Sequence, residues 1–223
     1  MAAGDYDKQR RRMIEDINDT VSFTSDYIGK DSLDESVMQA MERVPRHLFV
    51  PEEIRSHAYV NSALPIGNDQ TISQPYIVAL MTDLAGVGKD SVVLEVGTGS
   101  GYQAAILAEI VKEVYTIEII QELGKQAAET LGQLGYQNIH FRIGDGYHGW
   151  SEAAPFDAIL VTAATPEAPA ALLEQLHTGG RLVIPLGRPH ETQNLTVIEK
   201  QADGTVRQKT ILPVGFVPLT GSH

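Results

Sequence analysis

Apolar positions along this chain change rhythm several times, and each change predicts an element. Val92–Val96 is nearly unbroken in apolar character and runs into Gly97, Gly99 and Gly101 at alternate positions. A short apolar run of this kind marks a strand covered on both faces. Over residues 102–111, Ile106 pairs with Ile110 and Leu107 with Val111, which predicts a helix with Gln103 and Glu109 on its outer face. A second strand-like run, Val114 to Ile117, ends at Glu118. The alternation continues with a helix over 121–134, a strand over Ile139–Ile143 before Gly144-Asp145-Gly146, a strand over Phe156–Val161 and a helix over 166–176. Gly179-Gly180 predicts a turn into a strand over 181–185. Strands alternating with helices indicate an α/β fold with a doubly wound, mostly parallel, Rossmann-like sheet. Residues 195–200 and 205–211 flank Ala202-Asp203-Gly204, a hairpin signal, so an antiparallel pair is expected at the carboxyl end.

The first 76 residues follow a different pattern. One helix is expected over 8–18, then an irregular link to residue 28. Ser32 and Glu35 have the spacing of a capping box ahead of Leu33, Val37, Ala40, Met41 and Val44, and Pro45 stops that helix. Residues 46–51 read as a short extended piece between prolines. Residues 61–74 are dense in loop formers, with Leu64, Ile66 and Ile72 as anchors. Pro75 suits the first position of a helix reaching Leu84. Thr71, Ser73 and Gln74 either cap that helix or offer hydroxyl and amide groups to a ligand.

Composition narrows the function. A chain of 223 residues with 43% hydrophobic and 21% charged content can bury a full core. It reads as one domain over 1–223, with helices and a substrate loop in 1–76 and a cofactor-binding α/β core and hairpin in 77–223. Net charge is −12, which repels a phosphate backbone, so no nucleic-acid partner is expected. The cluster Lys8, Arg10, Arg11 and Arg12 precedes Met13, Ile14 and Ile17 and suits the solvated face of an amphipathic helix. No stretch approaches the roughly 18 apolar residues of a membrane span, and residues 1–12 lack a secretory apolar core. Zero cysteines exclude disulfides and thiolate chemistry and suit a cytoplasmic protein. His47, His57, His140, His148, His177, His190 and His223 show no paired-ligand spacing, so no metal site is expected. His47 and Asp157 read as structural.

The glycine loop separates two cofactor classes. A dinucleotide fingerprint places glycines first, third and sixth, but the sixth position from Gly97 is Tyr102. That disfavours a nicotinamide oxidoreductase and favours a ligand without a pyrophosphate, such as S-adenosylmethionine. Glu118 lies 21 residues after Gly97, where an α/β nucleotide site places a carboxylate for ribose hydroxyls.

Along nearly its whole length the chain resembles the protein-L-isoaspartate O-methyltransferase family, within the class I methyltransferases. The resemblance rests on Val-Pro-Arg-His-Leu-Phe-Val-Pro (44–51), Ala-Leu-Pro-Ile-Gly (63–67), Gln-Thr-Ile-Ser-Gln-Pro-Tyr (70–76) and Leu-Glu-Val-Gly-Thr-Gly-Ser-Gly-Tyr-Gln (94–103). It continues in Gly-Asp-Gly (144–146), Phe-Asp-Ala-Ile (156–159), Gly-Gly-Arg-Leu-Val-Ile-Pro (179–185) and Phe-Val-Pro-Leu (216–219). The glycine loop is common to most class I methyltransferases, whereas Gln-Thr-Ile-Ser-Gln-Pro is highly specific. Asp69 stands where the family often has glycine.

The resemblance implies methyl transfer from S-adenosylmethionine to the free α-carboxylate of L-isoaspartyl residues in damaged proteins and peptides, with D-aspartyl residues as a second substrate to test. The ester then closes to a succinimide without the enzyme. It also implies Ser73 as the active-site hydroxyl. Glu95, Gly97, Thr98, Gly99, Ser100, Gly101 and Gln74 would meet the cofactor, with Glu118 at its ribose and Asp145 and Gly146 at its adenine. Leu64, Thr71, Ile72, Val217 and Leu219 would wall the substrate peptide. A monomer without membrane partners is expected. Two other readings compete. An aspartate-modifying relative would act on a dedicated precursor peptide, but no extra leader-binding domain is evident. A non-catalytic binding module would be expected to lose the Ser73 segment, which is intact.

Overall fold

A computed structural model describes residues 3–188 and 191–221. His190 and His223 therefore lie outside the described residues. Helix α1 spans Ala3–Ile28, longer than the 8–18 expected from the sequence. Met13, Ile17, Val21 and Ile28 form a continuous buried stripe. That stripe keeps the hydroxyl-rich stretch that read as irregular helical, and Thr20, Ser22 and Thr24 satisfy their hydroxyls by donating to the carbonyl four residues back. Helix α2 covers Glu35–Arg43, and its cap is Asp34 rather than Ser32: the Asp34 side chain accepts from the Ser36 amide. Val44 turns to extended backbone ahead of Pro45. Arg46–Leu48 is a 3₁₀ turn, not an extended piece, and a second covers Glu52–His57.

The expected 61–74 loop contains a small hairpin, β1 (Leu64–Gly67) against β2 (Gln70–Ile72). Asn68 and Asp69 turn it with φ of 51° and 56°. Short carboxylate and amide side chains tolerate that left-handed region, so Asp69 replaces a glycine without breaking the turn. Helix α3 is Pro75–Ala85.

The core follows in regular alternation: β3 (Val92–Val96), α4 (Tyr102–Ala108), β4 (Glu113–Glu118), α5 (Gln121–Gln133), β5 (Ile139–Ile143), β6 (Phe156–Val161), α6 (Ala170–Glu174), β7 (Leu176–Leu186), β8 (Gln193–Lys200) and β9 (Val206–Val214). The seven-stranded sheet has the order β5-β4-β3-β6-β7-β8-β9. The first five strands in that order run parallel, and β8 pairs antiparallel with both neighbours. This is the doubly wound sheet with a terminal hairpin that the alternation predicts.

Three boundaries differ from the sequence reading. Helix α4 ends at Ala108 because the Asn138 side-chain amide holds the Ala108 and Val111 carbonyls, turning the chain into β4. Helix α6 starts only at Ala170, since residues before Pro166 and Pro169 are pushed out of the helical region. Gly179-Gly180 lies within β7 rather than in a turn before it. A Cβ on Gly180 would come within 3.0 Å of the Asp157 carbonyl, so glycine permits close strand approach there.

Apolar residues on the two faces of the sheet form separate clusters. Val93, Ala158, Leu160 and Val183 pack with α1 to α4, whereas Leu94, Val96, Ile159 and Ile184 pack on the opposite side with Leu172 of α6. The chain leaves β3 toward β4 on one side and returns as β6 on the other. Strand order reverses there, and a crevice opens beyond the carboxyl ends of β3 and β6.

Candidate active site

The crevice floor is the loop after β3. Gly97 and Gly101 have φ of 97° and 87°, which a side chain would strain. A Cβ on Gly97 would overlap the Thr162 hydroxyl, which donates to the Gly97 carbonyl at 2.6 Å. Gly99 donates its amide to Glu118 Oε2 at 2.8 Å, and Glu118 Oε1 accepts from the Ile120 amide at 2.8 Å. Glu118 thus ties the glycine loop to the end of β4 and stays on the crevice wall.

Glu95 has no exposed surface, although it lines the same crevice. Thr116 donates to its Oε2 at 2.5 Å and bonds in turn to the Thr98 hydroxyl at 2.6 Å. Its Oε1 has no hydrogen-bond partner among the described residues. Burial pushes the Glu95 carboxyl up to about 8, and the nearby Glu118 charge adds to this while the Thr116 hydroxyl opposes it.

That shift predicts a stability profile. The folded chain keeps a proton on Glu95 that an unfolded carboxyl with the ordinary value of 4.5 has released. Its contribution is complete below about pH 4.5 and is lost as pH rises through about 8. Between these limits the wild type should lose stability relative to Glu95→Gln by up to about 1.4 kcal/mol per pH unit. Parallel melting-temperature profiles for the two proteins would show Glu95 ionised throughout.

A second cavity adjoins the crevice, and both are lined by Thr71, Ser73, Thr162 and Val217. Alternation along β2 buries Ile72 and turns Thr71 to the opposite face. Ser73 follows at once, and its hydroxyl has no partner among the described residues. The α3 start is satisfied elsewhere: Asn61 Oδ1 accepts from the Tyr76 amide at 3.0 Å, and Gln74 makes no side-chain cap. The far wall, residues 216–219, is pinned by Gln193, which bonds both backbone groups of Phe216. The Ala164 amide and carbonyl hold Val217 and Leu219.

The remaining sequence candidates fall as follows. Thr98, Ser100 and Gly146 line the crevice with Glu95, Gly97, Gly99 and Glu118. Gly101 does not; it lets the loop pack on Ala127 and Leu131 of α5. Gln74 lines the second cavity and not the crevice. Asp145 lines neither, and its carboxylate accepts from the Tyr147 amide. Leu64 is half-buried against the core outside both cavities. Ile72 and Leu219 face the crevice rather than the second cavity. Asp157 accepts from the Val92 amide at the opposite end of β3, and His47 stacks on Tyr6 and bonds the Tyr59 hydroxyl. Gln103, expected on the outer face of α4, is buried and donates to Thr82 between α3 and α4. No group of three or more potential ligands able to hold a metal occurs among the described residues.

Sequence reasoning gave no role to Arg46, Asn61, Thr116 or Thr162. Thr162 carries a usable signal, since it directly follows the apolar run of β6 at the crevice. Arg46 and Asn61 act through long-range contacts that no local pattern reveals.

A glycine cradle that excludes side chains, a carboxylate at the end of β4 and a buried carboxyl with a free oxygen fit a nucleoside bearing a charged amino-acid tail. Fold and crevice together define an S-adenosylmethionine-dependent methyltransferase of class I. Within that class, the chain belongs to the protein-L-isoaspartate(D-aspartate) O-methyltransferase (PCMT) family, whose model matches residues 27–223. It is 58% identical over 218 residues to protein-L-isoaspartate O-methyltransferase 2 of Syntrophobacter fumaroxidans, covering 98% of this chain and 88% of that one. It is 55% identical over 223 residues to protein-L-isoaspartate O-methyltransferase 1 of Nitrosospira multiformis, covering 100% and 92%. Among solved structures, a protein-L-isoaspartate O-methyltransferase superposes with a TM-score of 0.82 at 27% identity, covering 95% of this chain and 66% of that one. A Plasmodium falciparum beta-aspartate methyltransferase in complex with S-adenosyl-L-homocysteine gives 0.75 at 25% identity, covering 92% and 97%.

Proposed function

We propose that this enzyme methylates the free α-carboxylate of L-isoaspartyl residues in damaged proteins and peptides, starting repair through a succinimide. The observation that carries the reading is Ser73, whose unengaged hydroxyl stands where the cofactor crevice meets the second cavity. S-adenosylmethionine, when bound, supplies a methyl group on a positively charged sulfur. Glu118 and the glycine loop are suited to hold its ribose and tail, and Glu95 offers a free carboxyl oxygen on the same crevice. An acceptor carboxylate with a pKa near about 4 is already ionised at neutral pH, so the site needs no general base. Ser73 can orient it with one hydrogen bond and leave a lone pair free. Thr71 and Val217 help close the junction, which aligns the reactants and excludes water.

The whole chain is read as one cytoplasmic domain. Its helices α1 to α3 share a continuous apolar cluster with the sheet, which supports the single unit. No helix among the described residues is long and apolar enough to cross a membrane.

The deciding measurement is labelled methyl transfer to an isoaspartyl peptide beside its aspartyl isomer. Label should enter the isoaspartyl peptide with about a hundredfold or greater preference, since the isomers differ in backbone path as well as in carboxylate position. Equal labelling of both peptides, or of neither, would overturn the reading.

A further inference from the structure

Arg46 has no exposed surface, and no carboxylate pairs with it among the described residues. Its Nε donates to the Ala58 carbonyl at 2.7 Å, and one terminal nitrogen donates to the Ser73 carbonyl at 2.8 Å. The guanidinium lies over the Tyr102 ring, 4.7 Å from its centroid, and Tyr102 lines the cofactor crevice. The other terminal nitrogen, Nη1, is buried and has no hydrogen-bond partner among the described residues. Burial lowers its pKa to about 10, so it remains a cation at neutral pH. A buried cation without a counter-charge is costly, and its position one peptide unit behind Ser73 gives that cost a use.

We propose that Arg46 is a positioning and specificity-determining residue that selects an ionised acceptor at Ser73 through its field. This rests on the function proposed above. The chain's net charge of −12 opposes any anionic substrate, so the site needs a local positive potential. The same charge has a predictable kinetic signature. The acceptor's negative charge is consumed as the methyl group moves to it, so the cation favours the bound carboxylate more than the transition state. Losing it should therefore raise KM and leave kcat unchanged or modestly higher, never lower.

The test uses the full chain, an isoaspartyl peptide, and the same peptide with a carboxamide in place of the free carboxylate as a competitive inhibitor. Wild type should bind the carboxylate at least about tenfold more tightly than the carboxamide. Arg46→Met should raise KM for the isoaspartyl peptide by about tenfold or more, with kcat unchanged or up to about threefold higher and carboxamide inhibition unchanged. Affinity for S-adenosyl-L-homocysteine, measured by calorimetry, should stay within about twofold, and Arg46→Lys, which keeps the charge but not the two-carbonyl fork, should keep the carboxylate preference with a KM between wild type and Arg46→Met. A fall in kcat at unchanged KM would reduce Arg46 to a structural clamp on the Ser73 backbone and overturn the proposal. Should Arg46→Met not fold, Arg46→Lys decides: carboxylate preference kept supports the proposal, and preference lost despite the retained cation overturns it. Wild type that methylates the isoaspartyl peptide without preferring carboxylate over carboxamide sinks this inference alone. Wild type that methylates neither isomer sinks the function, and this inference with it.

Discussion

Glu118→Ala is expected to weaken S-adenosyl-L-homocysteine binding by about tenfold to a hundredfold, the range for losing a charge-assisted hydrogen bond of about 1.5–3 kcal/mol. The geometry makes the effect twofold in kind. Glu118 spends one lone pair on the Gly99 amide and one on the Ile120 amide, and the carboxylate still borders the crevice beside the glycine loop. Removing it deletes the acceptor proposed for the ribose hydroxyls and also frees the loop that shapes the floor. The orphaned Gly99 amide should cost about 1–3 kcal/mol of stability, so the variant should melt lower as well as bind less. Glu118→Gln keeps one oxygen acceptor and should fall between. Calorimetry is decisive when paired with a melting curve. A destabilised Ala variant with wild-type affinity would restrict Glu118 to holding the loop.

This double use of Glu118 shows what a sequence can and cannot convey. Its place at the end of a strand, at nucleotide-site spacing from Gly97, was legible because periodicity and spacing are local properties. So were the parallel core and the terminal hairpin, each element being marked by its own apolar rhythm. The errors fall where distant contacts override local preference. Thr20, Ser22 and Thr24 favour turns in isolation, but the buried stripe of α1 holds them in a helix. Gly179-Gly180 reads as a turn, yet serves the close approach of β7 to β6. In the candidate site, the glycine loop shows in the local pattern and Ser73 reads equally as cap or ligand group, whereas Arg46 and Asn61 are placed only because the fold brings residues 46 and 61 against the stretch 73–76. The Thr98–Thr116–Glu95 chain likewise joins residues 18 and 21 positions apart that meet only when β3 and β4 pair.

Ser73→Ala should separate acceptor chemistry from everything else the protein does. The sequence left two uses open for this hydroxyl, capping α3 or orienting a ligand, and the structure assigns the capping bond to Asn61. The backbone of Ser73 is held by Arg46 through its carbonyl, which the substitution keeps. With no side-chain partner to lose, Ser73→Ala should change stability by no more than about 0.5 kcal/mol. Cofactor affinity should stay within about twofold, because the groups proposed to hold the cofactor lie on the glycine loop and β4. Methyl transfer to an isoaspartyl peptide should fall by about tenfold or more, since the hydroxyl orients the acceptor and a misplacement of about 1 Å can cost about a hundredfold. Ser73→Thr retains the hydroxyl but adds a methyl beside Pro75, and an intermediate loss is expected. Single-turnover rates at saturating cofactor, alongside melting curves and calorimetry, distinguish the outcomes. A variant that melts early with an unchanged rate would return Ser73 to a structural role. A folded variant at full rate would leave the junction of the two cavities without its orienting group, and the acceptor would have to be held by Thr71 or Thr162, the other hydroxyls that line both cavities.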